Sequence, residues 1–272
     1  VAHVEAGLRT HDPQLPWPEE EYRTAVDARA DLLLAPTESA AANLRAERVP
    51  GEIHVTGNSG IDAVLATERT LPPPTLRDRV HPRVLVTCHR RESWTEGLDS
   101  IAAAIIELAR DGQAMVELVL HPNSFVAERM HGLLAGTPGV TLVAPCSHRA
   151  LLRRIRDADL VLSDSGGIQE EAPTLGAPLL VLRDKTERPE GIADGSARLV
   201  GTDRARIVAE ARRLLDDPLA RARMSGRSFP YGDGRSEPRI ARIIEEWLAK
   251  RSSEAFANAR MSPGHPARSH HE

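Results

Sequence analysis

Short runs that are apolar almost throughout recur along this chain: "DLLLAPT" at 31–37, "RVLVTCH" at 83–89, "VELVLHP" at 116–122, "VTLVAP" at 140–145, "DLVLSDSGG" at 159–167 and "PLLVLRD" at 178–184. A strand with one wet face alternates apolar and polar residues, whereas a continuous apolar run needs cover on both faces. The segments between these runs have helical spacing: "LDSIAAAIIELAR" at 98–110, "FVAERMHGLLAG" at 125–136, "SHRALLRRIRDA" at 147–158 and "RARIVAEARRLLDD" at 204–217. "IQEEAPTLG" reads as a short helix and "ARLVGTD" as a further strand. Strands alternating with helices predict a parallel sheet wrapped on both sides, a doubly wound α/β domain from about Arg83 to about Asp217.

The first 70 residues repeat the pattern in short form. "VAHVEAG", "DLLLAPT" and "EIHVTGN" read as three buried strands, with helices near 20–30 and 38–47. The proline-rich "LPPPTLRDRVHP" at 71–82 separates them from the larger sheet and reads as a linker. The expected organisation is therefore an incomplete Rossmann-like domain over 1–70, a linker over 71–82, and a second Rossmann-like domain over 83–228. A helix over 229–250 is expected to pack back on the first domain, with a disordered tail over 251–272. Three strands make a thin sheet, and a βαβ unit takes roughly 30 residues. The expectation is that one or more such units precede Val1 and that this stretch alone is inactive or weakly active.

Composition narrows the function classes. A 272-residue chain with 41% hydrophobic residues sustains a sizeable core. A net charge of −4 gives no electrostatic reason for a nucleic-acid partner. Basic residues are almost all arginine, Lys185 and Lys250 being the lysines, which reads as base-composition bias. Cys88 and Cys146 form no spaced metal motif, so a reducing cytoplasm is the default. No apolar run approaches the ~18 residues of a membrane span.

The stretch with most chemistry is "DSGGIQEEAPTLGAPLLVLRDKTERPE" at 164–190. A strand ends, two glycines follow and a helix begins, at the carboxyl edge where doubly wound sheets bind ligands. Glycine lets backbone N–H groups approach an oxyanion, and a helix start favours negative charge. Ser165, Gly166 and Gly167 are thus candidates to hold a phosphate, and Glu171, about one turn in, to accept from ribose hydroxyls. The alternative is a helix start that merely favours acids. Arg188, after the next strand, suits phosphate oxygens or a salt bridge to Glu187 or Glu190. His89 in "TCHRRES" is placed for acid–base work or for capping a strand end; Arg90 and Arg91 beside it could steer anions. Glu5 ends the first apolar run and Glu19 opens a helix behind Pro18. Both could do acid–base chemistry in a cleft, or be a salt-bridge partner of Arg9 and a solvated helix-start acid.

Taken together and in order, "HVEAGLRT", "PWPEE", "TGN", "HRRES", "DSGGIQEEAPTLGAPLLVLRDKTERPE", "VGT" and "PYGDG" resemble the non-hydrolysing UDP-N-acetylglucosamine 2-epimerases, from about Val1 to Trp247. The resemblance implies a GT-B-like architecture, two Rossmann-type domains with a cleft between them. It also implies reversible conversion of UDP-GlcNAc to UDP-ManNAc by loss of the C2 proton and of UDP, then re-addition through a glycal. It assigns Glu5 and Glu19 to the catalytic carboxylates and His89 to the active-site histidine. Ser165, Gly166, Gly167 and Glu171 become UDP contacts and Arg188 a diphosphate contact, while Arg90 and His121 would touch a regulatory substrate site. It implies no cofactor, no metal and a homodimer. A UDP-sugar glycosyltransferase of the same architecture and a catalytically dead UDP-binding remnant are the alternatives. Two departures stand out: the family's H-x-N-P is here "HPN" at 121–123, and its aromatic after the third strand is replaced in "APCSHRALL" by His148 or Leu151.

Overall fold

The computed structural model describes residues 1–74, 81–88 and 96–261. The middle of the expected linker and the turn carrying His89 and Arg90 therefore lie outside the described residues. Within them are two parallel sheets. The smaller has the order β1-β2-β3, formed by Ala2–Val4, Leu32–Ala35 and Glu52–Val55, with helices α1 (Glu19–Asp27) and α2 (Glu38–Glu47) in the connections. Every residue of β2 is buried, as its unbroken apolar run demands.

The larger sheet comprises β4 (Arg83–Thr87), β5 (Met115–Val119), β6 (Val140–Val143), β7 (Leu160–Ser163), β8 (Leu179–Val181) and β9 (Ala197–Leu199). Their order is β6-β5-β4-β7-β8-β9, all parallel, so the chain reverses direction across the sheet between β4 and β7. That reversal opens a crevice at the carboxyl ends of β4 and β7. Alternation along β4 serves two cores. Val84 and Val86 pack on the side of helices α4 (Glu96–Ala109), α5 (Ser124–Leu134) and α9 (Arg204–Asp216). Leu85 faces α6 (His148–Arg156) and α7 (Gly166–Leu175). No helix among the described residues is long and apolar enough to cross a membrane.

The helix α3, Ser59–Glu68, follows β3 in the chain but not in its packing. Asn58 caps it by accepting from the N–H of Gly60 at 2.7 Å. Its buried Val64 belongs to the core beneath β7 and β8, with Leu71 partly buried against the same cluster. The short helices α8 (Glu190–Ala193) and α10 (Pro218–Met224) complete the larger unit. Helix α11 then runs from Ser236 to Met261. Asp62 of α3 accepts at its amino end from the N–H groups of Ser236 and Glu237, at 3.2 and 2.8 Å. Arg239 reaches the Thr56 carbonyl, and Lys250 and Arg251 pair with Glu52 and Asp31, so the helix lies along β3. The irregular tail expected from residue 251 differs from this. "RSSEAFANARM" holds neither Gly nor Pro and continues α11, and the first breakers are Pro263 and Gly264, outside the described residues.

The turn after β1 depends on Gly7. Its φ is +84°, and a Cβ there would stand 2.2 Å from the carbonyl oxygen of Ala40. Gly7→Ala meets fixed backbone in a left-handed conformation that alone costs about 1–2 kcal/mol. It is expected to lower the unfolding free energy by more than about 2 kcal/mol in urea titration. A loss within experimental error would show that the turn relaxes freely.

Candidate active site

Three loops meet at the carboxyl edges of the two sheets. The first is "HVEAGLRT". Asp27, the last residue of α1 and fully buried, organises it. Its carboxylate accepts from Arg9 Nη2 at 2.7 Å and from the N–H of Gly7 at 3.1 Å, and it pairs with His3 Nδ1 at 2.5 Å. Burial opposes this charge, but His3 and Arg9 together hold its carboxyl below the usual range. Arg9 is completed by Glu47, 2.7 Å from its Nε. The salt bridge between Glu5 and Arg9 that the sequence allowed does not form; Arg9 is engaged by Asp27 and Glu47. Glu5 instead sits at a φ of +64°, unusual for a residue with a side chain, and only partly buried. Its charge acts on Glu170 and Arg188 of the larger unit, which brings it to the same site.

The second loop is "PWPEE". Glu19 is exposed at the first position of α1. Its neighbour Glu20 is buried and accepts from the N–H groups of Thr10 and His11 at 2.9 and 2.8 Å, tying this loop to the first. Arg23, one turn beyond Glu19, approaches Glu187 at 3.6 Å.

The third is the glycine turn. Ser165 is the N-cap of α7 but its side chain makes no capping bond, and its N–H donates to Ser163 Oγ at 3.0 Å. Among the described residues no side chain caps the first amides of α7, which stand at the carboxyl edge of the sheet. Gly166 is buried, and a Cβ on it would lie 2.8 Å from Arg188 Nη1, so the guanidinium packs directly against the turn. Gly167 is exposed. Pro173 lies inside α7, and the helix ends at Leu175 with Gly176 left-handed. Glu171, largely buried, pairs with His148 Nε2 at 2.7 Å.

Arg188 is not a free cation. Its Nε donates to Glu170 Oε1 at 2.5 Å and its Nη1 to Glu187. Tyr231, from "PYGDG", donates to the Arg188 carbonyl at 3.1 Å and accepts from the N–H of Gly191 at 3.0 Å. Glu187 has no exposed side-chain surface and also faces Arg183 at 2.9 Å. Burial opposes its charge, yet the surrounding arginines, Arg188 first, hold its pKa down at about 2. Burial pushes Glu170 the other way, above the usual carboxylate range, with Arg188 opposing.

Beside Ser165 is a cavity of about 180 Å³ whose lining includes Cys88, His121, Cys146, Leu151 and Ile168. His121 lines this cavity and accepts from the N–H of Asn123 at 3.1 Å. His89 and Arg90 lie outside the described residues. Sequence reasoning missed Asp27 and Arg23; the salt bridge of Arg188 to Glu187 was one of its alternatives and forms, and Glu170 was read only with Glu171 as a carboxylate near the start of the helix.

The depressed pKa of Glu187 has a signed consequence. An unfolded glutamate titrates near 4.3. Its folded pKa is lower, so the stability it contributes is present above about pH 4.3 and is lost as pH falls towards 2. Glu170 has the opposite sign, because its raised folded pKa makes protonation favour the folded state. Wild-type unfolding free energy is expected to fall between about pH 4.5 and 2, and to fall less steeply in Glu187→Gln. Equal slopes in denaturant titrations would remove Glu187 from that account.

The chain is similar in sequence and fold to known proteins. The family model described as UDP-N-acetylglucosamine 2-epimerase matches residues 1–245. The Salmonella typhimurium UDP-N-acetylglucosamine 2-epimerase is 43% identical over 260 residues, which cover 91% of this chain and 69% of that protein. The Neisseria meningitidis UDP-GlcNAc 2-epimerase, solved bound to UDP-GlcNAc, superposes with a TM-score of 0.84 at 37% identity, covering 92% of this chain and 70% of that one. The S. aureus MnaA–UDP complex gives a TM-score of 0.84 at 35% identity, over 91% of this chain and 69% of that one.

Proposed function

This chain belongs to the UDP-N-acetylglucosamine 2-epimerase family, and we propose that it interconverts UDP-GlcNAc and UDP-ManNAc by eliminating and re-adding UDP. One observation carries the reading at the level of residues: the uncapped start of α7 at the sheet's reversal point, with Glu171 one turn inside and Glu5 facing it from the other unit. The alternative of a glycosyltransferase gains nothing from the loops "HVEAGLRT" and "PWPEE".

In this reading the α7 amides at Ser165, Gly166 and Gly167 hold the diphosphate, and Arg188 adds its charge from beneath Gly166. The Glu171 carboxylate accepts from the ribose hydroxyls, with His148 its present partner. The cavity bordered by Leu151 and Cys146 takes the base. Breaking the C1–O bond places charge on the diphosphate, where the amides stabilise it. Glu5 and Glu19 hold and return the C2 proton from the opposing loops, one on each face of the sugar. His89 acts beside the diphosphate, and Arg90 and His121 at a neighbouring regulatory site; these roles rest on the family resemblance. So does the homodimer; the cytoplasmic location rests on the two cysteines that form no spaced motif, and the division into domains at 1–70, 83–228 and 229–250 on the strand and helix pattern with its proline-rich linker at 71–82.

Proton NMR of UDP-GlcNAc with the purified chain in deuterated water tests the reaction. Loss of the C2 proton signal with growth of UDP-ManNAc would support epimerisation by this chain, against the expectation of weak or no activity. A C2 signal that persists at saturating substrate counts against epimerisation by this chain. Glu171→Ala is expected to weaken UDP binding by about 1–3 kcal/mol, through a lost hydrogen bond to a charged acceptor. Unchanged calorimetric affinity would take Glu171 out of the site.

A further inference from the structure

The segment from Lys185 to Glu190 leaves the carboxyl end of β8 and touches the amino-terminal unit three times. Lys185 Nζ is 2.7 Å from Asp12, Glu187 is 3.6 Å from Arg23 Nη2, and Thr37 Oγ1 donates to Glu190 at 2.5 Å. The middle contact differs in kind. Asp12 is partly exposed, whereas the Glu187 side chain is wholly buried and is shared among Arg183, Arg188 and Arg23.

Two partners of Glu187 lead to different parts of the proposed site. Arg188 packs under Gly166, at the turn assigned to the diphosphate. Arg23 stands four residues after Glu19 in α1, so the two share a helix face. Among the described residues Arg23 Nη1 is buried and makes no hydrogen bond, while Nη2 lies 3.6 Å from Glu187. A carboxylate withdrawn from water and held between several cations has little freedom, because separation from any of them leaves charge uncompensated.

We propose that Glu187 is a positioning residue: through Arg188 on one side and Arg23 on the other, it fixes the distance between the diphosphate turn and the Glu19 carboxylate. It touches no reacting atom and acts only through these two arginines. The inference rests on the epimerase reading, which puts the diphosphate at Gly166 and C2 within reach of Glu19. Misplacement of an acid–base group by about 1 Å costs up to 10²-fold in rate while leaving ground-state binding of the remote moiety intact.

The test uses the full chain with Arg23→Ala, Arg23→Lys, Glu187→Gln and the Arg23→Ala/Glu187→Gln double variant. Calorimetry gives the UDP Kd, and NMR gives the rate of deuterium incorporation at C2 of UDP-GlcNAc. For Arg23→Ala the rate is expected to drop at least about 10-fold with Kd changed less than about 3-fold, and Arg23→Lys should recover part of the loss. The double variant should be no slower than Glu187→Gln alone, since both changes cut one strut. An unchanged rate in Arg23→Ala, a rate and affinity that fall by the same factor, or losses that multiply in the double variant would each overturn the proposal. Should Glu187→Gln fail to fold, the Arg23 variants decide, because that side chain is partly solvent-reachable. Wild-type chain that neither binds UDP nor exchanges C2 would overturn the epimerase reading itself. That outcome is distinct from an active wild type matched by Arg23→Ala.

Discussion

The architecture around the cleft depends on a carboxylate in the protein interior. An isolated buried charge is too costly to persist, and Arg183, Arg188 and Arg23 converge on Glu187 to hold it as an ion. Arg188 is in turn shared with Glu170, and its carbonyl is fixed by Tyr231. The chain of contacts runs from α1 through the "TERPE" segment to the glycine turn and on to "PYGDG", which links regions distant in sequence. Gly166 is part of the same arrangement, since any side chain there would displace the guanidinium.

Asp27 plays the matching part in the amino-terminal unit. It draws in His3, Arg9 and the Gly7 amide, and so shapes the turn that carries Glu5. Because Arg9 is committed to Asp27 and Glu47, Glu5 is left facing the cleft at a left-handed φ. Glu20 does the same for the adjoining loop by binding two amides, which leaves Glu19 at the surface of the cleft-side helix. In the first loop Asp27 takes up Arg9 and the Gly7 amide, and in the second Glu20 takes up two backbone amides, so neither Glu5 nor Glu19 is engaged by them.

Much of the fold was legible from local pattern. The apolar runs became parallel strands and the periodic segments helices, with α2 and α9 close to their expected bounds; β2, β4, β7 and β8 are buried as expected, whereas β1 and β3, also expected to be buried, flank β2 and stay partly exposed. Packing across the chain was less legible. Helix α3 shows Ile61, Val64 and Leu65 at helical spacing behind a capping Asn58, yet nothing local says that Val64 belongs to the larger sheet's core. The extension of α11 was hidden by the proline and histidine that follow it. At the site, the glycine turn and Glu171 were readable because helix starts and phosphates obey local geometry. Arg188 was ambiguous between phosphate and salt bridge, and it pairs with Glu170 as well as Glu187. Neither acid could be told from a solvated one without knowing which arginines fold back upon it.

The contact between His148 and Glu171 bears on what this pocket selects. The acceptor is already satisfied by an imidazole 2.7 Å away, so a ligand gains there only the difference between its own donors and the one it evicts. A lone hydroxyl offers little over a histidine. Two hydroxyls on adjacent carbons meet both carboxylate oxygens at once, which an imidazole nitrogen does not. If Glu171 holds the ribose as proposed, the displaced ring would act as a threshold that favours a ribose over its 2′-deoxy counterpart.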